Sequence, residues 1–109
     1  MILKKFDIVL TIFPFTNLKN AKKRPALIIN PLEGENSIVC QITTKQRNFQ
    51  KYGIFLPKKA CRGDIRFNSF IYVDMIFTLH KSLIHGKIGE ITSSEIREEI
   101  NQKIRLALQ

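Results

Sequence analysis

Alternation of apolar and polar positions runs through the first two-thirds of the chain. Phe6, Ile8, Leu10 and Ile12 alternate with Asp7, Val9 and Thr11, a period of two that predicts a strand with one clearly apolar face. Phe13-Pro14-Phe15 ends it, because proline cannot donate to a central ladder. Thr16 to Lys23 is polar and basic and reads as a loop. Ala26 to Ile29 is a short apolar run closed by Asn30-Pro31, the pattern of a buried strand. From Ser37 to Thr43, Ile38, Cys40 and Ile42 alternate with Val39, Gln41 and Thr43, which predicts another strand. Thr44 to Lys51 is a second polar, basic loop, Tyr52 to Leu56 a short strand, and Lys58 to Asp64 holds turn chemistry around Gly63-Asp64. In Ser69 to Asp74, Ile71 and Val73 share one face while Phe70, Tyr72 and Asp74 share the other. Two brief strands are expected around Phe77–Leu79 and Lys87–Ile91.

The period changes only at the end. Thr92-Ser93-Ser94-Glu95 fits a capping box with Thr92 as N-cap and Glu95 three residues on. After it, Ile96, Ile100, Ile104 and Leu108 fall four apart with Ala107 beside them, an amphipathic helix packing one stripe on a sheet. The expected fold class is therefore mainly β: five to seven short strands curled into a small sheet or barrel, with one C-terminal helix. A length of 109 residues is the size of one domain, so residues 1–109 are expected to form a single unit.

Charge changes this picture more than composition does. Hydrophobic residues make up 44% and charged residues 25%, ordinary for a globular protein, but the net charge is +9. Residues 1–68 hold 13 Lys/Arg against 4 Asp/Glu, whereas residues 69–109 hold 5 of each, so the whole excess belongs to the first part. Such asymmetry suggests one positive surface, suited to nucleic acid or to an acidic protein partner. Cys40 and Cys61 lack metal or redox spacing and read as free thiols, which fits a reducing, cytoplasmic setting. No run approaches the ~18 apolar residues of a membrane span, and the N-terminus has no signal-peptide core.

Candidate chemistry narrows quickly. His80 and His85 lie near Ser82 but have no companion Cys or paired carboxylates at ligand spacing, and they read as strand-end histidines. Phosphate-loop and dinucleotide-turn signatures are absent, so no cofactor and no metal are expected. The cluster Lys19, Lys22, Lys23 and Arg24 is more informative, since four cations between two strands can hold a phosphate backbone; a loop kept solvated by its charge reads equally well. Arg24 stands apart because Pro25 restricts it to extended conformations and so holds it at a strand mouth. A planar guanidinium fixed there can clamp two phosphate oxygens.

Several ordered segments together resemble one family. Phe6-Asp7-Ile8-Val9-Leu10, Phe13-Pro14-Phe15-Thr16 and Lys23-Arg24-Pro25-Ala26-Leu27 look like the opening of a MazF/PemK-type toxin. The likeness continues through Gln41-Ile42-Thr43-Thr44, Ser69-Phe70-Ile71-Tyr72-Val73-Asp74, Ile76-Phe77-Thr78-Leu79 and Ile88-Gly89-Glu90-Ile91, nearly the whole chain in order. The resemblance implies a homodimeric, SH3-like barrel that cuts single-stranded RNA without a metal and is neutralised by a cognate antitoxin. In that family the 2′-hydroxyl attacks the adjacent phosphorus, leaving a 2′,3′-cyclic phosphate and a 5′-hydroxyl. Arg24 matches the family's arginine before proline and would stabilise the phosphorane charge. Thr43 matches the threonine of the Ile-Thr motif, whose hydroxyl would hold a phosphate oxygen; a surface strand threonine is the plain alternative. Asp74 matches an acidic position that some relatives use in catalysis, as base, as a brace for Arg24, or as a strand-end acid. Ser69 matches a frequent family serine, with a phosphate-contact or a turn role. Lys19, Lys22, Lys23, Thr44, Lys45 and Arg47 complete the expected RNA-binding set.

The chain also departs from the pattern. Tyr72 stands where some relatives carry an arginine proposed as general acid, and a tyrosine there would donate a proton or stack on a base. Met75 and Phe77 replace the Gln and Arg of an Asp-Gln-x-Arg-Thr run found in many relatives. These departures keep two other readings in view: a member that binds RNA or antitoxin without cutting, and a gyrase-gripping toxin of the CcdB type on the same architecture.

Overall fold

The computed structural model describes residues 2–12 and 22–109. Seven strands form one antiparallel sheet: β1 Asp7–Thr11, β2 Arg24–Asn30, β3 Asn36–Thr43, β4 Gly53–Leu56, β5 Cys61–Gly63, β6 Ser69–His80 and β7 Ile84–Ile91. Their spatial order is β4-β6-β3-β2-β1-β7-β5, curled into a half-barrel, and one helix, α1 (Ser94–Ala107), follows.

The curled sheet has two apolar faces. The inner face gathers Ile8, Leu27, Cys40, Ile42, Ile54, Leu56, Ile71, Val73 and Ile91, and α1 covers it with Ile100 fully buried and Ile96, Ile104 and Ala107 partly so. The outer face carries a smaller cluster of Val9, Ala26, Ile28, Val39, Leu79 and Ile84. The first strand is therefore buried on both faces: Val9 and Thr11 are as enclosed as Ile8, although the alternation had marked only one face as apolar. A strand in the middle of a sheet is shielded on both sides by its neighbours' side chains, which period alone does not reveal.

The C-terminal half differs from the sequence expectation in five places. The segments read as separate strands at Ser69–Asp74 and Phe77–Leu79 are one 12-residue strand. Opposite it, Cys40 pairs with Ile76 while Gln41 pairs with Tyr72, so residues 73–75 bulge out of register. The bulge reverses the in/out phase, and a period-two reading breaks there. Cys61–Gly63, read as turn, is a short strand pairing with Cys61↔Ile91 and Arg62↔Glu90. The last strand begins at Ile84 rather than Lys87, through His85 and Gly86, which carry no strand signal. Ser93, not Thr92, caps α1: its hydroxyl accepts the Ile96 N–H at 3.2 Å, while the Thr92 hydroxyl donates to the Ala60 carbonyl. Leu108, expected in the helix stripe, sits at the C-cap and is exposed.

Cys40 is buried, and burial pushes its thiol far above the ordinary cysteine range, so it is inert packing; Cys61 is free as well.

Candidate functional site

The N-terminal end of β2 and the C-terminal end of β3 meet at one rim of the half-barrel. Thr11 pairs with Arg24, and its buried hydroxyl donates to the Arg24 carbonyl at 3.1 Å. Pro25 follows in the ladder opposite Leu10, so the backbone carrying Arg24 is fixed from both sides. The β2–β3 register runs Ile28↔Val39, Leu27↔Cys40 and Ala26↔Gln41, and Arg24 and Thr43 lie two residues beyond it at the ends of their strands. Both residues line a single cleft of about 320 Å³. Its walls also include Thr44, Ser69, Asp64, Arg66 and Phe67, above an apolar floor of Ile8, Ile42, Leu56, Ile65 and Ile88.

Hydroxyl geometry distinguishes two of these side chains. Thr43 Oγ1 accepts the Lys45 N–H at 3.1 Å, which leaves its own proton to donate into the cleft. Ser69 is buried, and its hydroxyl donates to the Phe67 carbonyl at 3.2 Å, so it shapes the turn that leads into β6 while bordering the cleft. The Arg24 side chain is exposed and has no hydrogen-bond or ion-pair partner among the described residues, where a cation is available to an incoming anion.

Beyond Thr43 lies a second recess, lined by Gln41, Thr43, Lys45, Gln46, Arg47 and Asn48. Here Arg47 organises its surroundings. Its guanidinium forms a bidentate pair with Asp74 at 2.9 and 2.8 Å and lies over the Tyr72 ring, 4.5 Å from the centroid. Its backbone N–H donates to Tyr72 Oη at 2.7 Å. The two hydrogen bonds from Arg47 hold the Asp74 carboxyl below its usual range, and the same pair raises the Arg47 guanidinium further. Gly53 makes the packing possible: a Cβ there would sit 2.8 Å from Tyr72 Cε1 and 2.9 Å from Gln50 Oε1.

These contacts sort the residues singled out from sequence. Arg24, Thr43, Thr44 and Ser69 share one cleft, and Lys45 and Arg47 line the recess beside it. Lys22 and Lys23 are exposed on the approach to β2, and Lys19 lies outside the described residues. Asp74 engages Arg47, not Arg24, so the brace expected between Asp74 and Arg24 is replaced by one on the neighbouring loop. Tyr72 has 0% exposure, with its ring under Arg47 and its hydroxyl already accepting an N–H. That burial corrects the expectation of a proton donor or base-stacking ring: the side chain does not face solvent where RNA would lie.

Asp64, Arg66 and Phe67 were not singled out. Arg66 and Asp64 pair at 3.1 Å, and Phe67 is 67% exposed. A guanidinium and an aromatic ring side by side in a Gly-Asp-Ile-Arg-Phe-Asn stretch were the available signal, between the turn read over Lys58 to Asp64 and the strand read from Ser69. Neither histidine lines the cleft or the recess beside it, and His80 Nδ1 accepts the Ser82 N–H and caps a short turn. Among the described residues, no group of three or more His, Cys, Asp or Glu side chains is placed to share a metal ion, and no helix is long and apolar enough to cross a membrane.

Comparisons with known proteins agree with this fold. The family model described as PemK-like, MazF-like toxin of type II toxin-antitoxin system matches residues 4–108. Among solved structures, the chain is similar to a MazE–MazF structure from Deinococcus radiodurans, with 17% identity, a TM-score of 0.75, and coverage of 99% of this chain and 97% of that one. A Mycobacterium tuberculosis MazF toxin is similar at 18% identity and a TM-score of 0.69, covering 94% of this chain and 95% of that one. An endoribonuclease in complex with its cognate antitoxin, from a mycobacterial species, is similar at 16% identity and a TM-score of 0.72, covering 95% and 92%. No curated protein sequence matches the chain at a significant level.

Proposed function

Because the chain belongs to the family of PemK-like, MazF-like toxins of type II toxin–antitoxin systems, we propose that it is an endoribonuclease that cuts single-stranded RNA without a metal ion. The observation that carries this reading is the shared cleft of Arg24 and Thr43. Attack by a 2′-hydroxyl on the adjacent phosphorus concentrates negative charge on a pentacoordinate centre. A guanidinium fixed beside Pro25 opposes that charge, and the Thr43 proton, left to donate once its oxygen has accepted Lys45 N–H, holds a non-bridging oxygen. The P–O5′ bond then breaks, giving a 2′,3′-cyclic phosphate on one fragment and a 5′-hydroxyl on the other.

The flanking cations have a separate task. Lys22, Lys23, Lys45 and Arg47 extend the positive rim on either side of Arg24 and Thr43, as backbone contacts to neighbouring phosphates. In this reading Asp74 acts through Arg47 by holding it in one orientation. The same surface suits an acidic, disordered antitoxin segment that folds over it, and the working form is a homodimer. A member that binds without cutting is not favoured, since Arg24 and Thr43, the pair that would bear the phosphorane charge, line one cleft.

The test is to incubate purified protein with unstructured RNA in EDTA and to sequence and chemically type the new ends. Cyclic phosphate and 5′-hydroxyl ends at a recurring short sequence are expected. Intact RNA, or cleavage only when a divalent metal is added, overturns the proposal.

A further inference from the structure

The sheet register carries a second feature outward from Thr43. Thr43 faces Phe70 across β3 and β6, and Phe70 faces Phe55 across β6 and β4. Directly opposed residues share a face, with Cβ atoms about 5 Å apart, so Thr43, Phe70 and Phe55 form one row on the outer face. The adjacent row, Ile42, Ile71 and Ile54, points inward and is core. Phe55 is 50% exposed on a four-residue edge strand. Its ring lies against Phe70 with centroids 5.5 Å apart, and Phe70 in turn stacks on Tyr72 at 6.3 Å with the rings inclined by 19°. Arg47 closes the series over Tyr72. An exposed phenylalanine on a sheet edge invites aggregation and adds nothing to the core, so its place beside the cleft calls for another reason.

We infer that Phe55 and Phe70 are a stacking platform for nucleobases of single-stranded RNA adjoining the phosphate held at Arg24 and Thr43, an inference that rests on the cleavage reading of that pair. Strands lie about 4.8 Å apart, so the two rings stand roughly one and two strand spacings from Thr43, on the same face and in line with it. Aromatic faces accept any base, and open sheets with outward rings are a recurrent way of holding splayed single-stranded RNA. A cation borders the rings, since Arg47 lies over Tyr72, on which Phe70 stacks. A protein surface would also cover Phe55, but the row's continuity with Thr43 and the positive charge around it favour RNA.

The platform is tested with wild-type protein and the variants Phe55→Leu, Phe55→Trp and Phe70→Leu. Leucine keeps apolar bulk and removes the π-face; tryptophan enlarges it. Binding is measured to a labelled 2′-O-methyl RNA oligonucleotide, which has no hydroxyl to attack, and to its abasic counterpart; turnover is measured on the matching RNA. Phe55→Leu is expected to weaken binding to the base-bearing oligonucleotide about tenfold, Phe55→Trp to restore it, and saturated turnover to stay within about twofold. The abasic oligonucleotide should bind wild type and Phe55→Leu alike. Equal affinity of Phe55→Leu and wild type for the base-bearing oligonucleotide overturns the inference. So does a shift of Phe55→Leu from dimer to monomer in sedimentation with RNA affinity unchanged, which would make the row a contact between copies. If the three proteins bind in the order Phe55→Trp, wild type, Phe55→Leu yet wild type never cuts RNA, the platform stands and the cleavage reading falls. Absence of binding by wild type overturns both.

Discussion

What the fold adds to Arg24 is position. The Thr11 hydroxyl and the Pro25 ring fix its backbone, and it lines the same cleft as Thr43. Replacing it by lysine keeps the charge but loses the planar fork, and turnover is expected to fall by about one to two orders of magnitude; alanine should cost roughly two to three. Single-turnover cleavage rates check both. Asp74 makes a different case. Its carboxyl is held below the ordinary range by two hydrogen bonds from Arg47. The pair is therefore complete above the unperturbed carboxylate value and is lost only as pH falls through the depressed one. Between about pH 5 and pH 9 Asp74 stays ionised, so Asp74→Asn should leave the shape of the pH–rate profile unchanged while raising KM several-fold. Loss of a limb of that profile in Asp74→Asn would make Asp74 the base itself.

The packing of Tyr72 across Gly53 belongs to the level of strands. Gly53→Ala places a methyl 2.8 Å from the Tyr72 ring, which is held from above by Arg47 and cannot swing away. Destabilisation of about 1–3 kcal/mol is expected, read as a lower urea midpoint, together with weaker RNA binding as Arg47 shifts. At the helix, Ser93→Ala should cost about 1 kcal/mol by removing the bond to Ile96 N–H. Elements with a steady period were legible in the sequence. The strands at Asp7–Thr11 and Asn36–Thr43 and the helix follow from alternation and four-residue spacing, and Arg24–Asn30 from the apolar run Ala26–Ile29 within it. What escaped was non-local. The bulge at 73–75 divides one strand into two apparent ones, and Cys61–Gly63 is a strand only because β7 lies beside it. For the site, Arg24 and Thr43 could be named from local pattern and resemblance, because Pro25 and the Ile-Thr segment mark them. The partner of Asp74 could not, because it sits 27 residues away on a loop with no fixed period. Burial of Tyr72 was equally hidden: an outward phase promises exposure, and only the loop folded over it removes that exposure.

Charge acts on the molecule as a whole. Of the cations in residues 1–68, Arg24 and Arg66 line the cleft and Lys45 and Arg47 the recess beside it, whereas the balanced 69–109 region supplies the helix and part of the core. Binding to single-stranded RNA should weaken with salt, and each phosphate neutralised contributes a slope of about −0.7 in log K against log salt. Contacts from Lys22, Lys23, Arg24, Lys45 and Arg47 would together give roughly −3 to −4, with Lys45→Ala reducing the slope by less than one unit. An acidic antitoxin peptide should compete for the same cations and show a similar salt response.

The cooperation of Arg24 with Thr43 is open to one direct measurement, a double-mutant cycle on single-turnover RNA cleavage in EDTA. Arg24→Ala, Thr43→Val and the combined variant would be compared at saturating protein. If both side chains act on one phosphorus centre, the combined variant should be hardly slower than the worse single one, with RNA affinity little changed across the set. Multiplying losses, or brisk cleavage by Arg24→Ala protein, would contradict a shared centre.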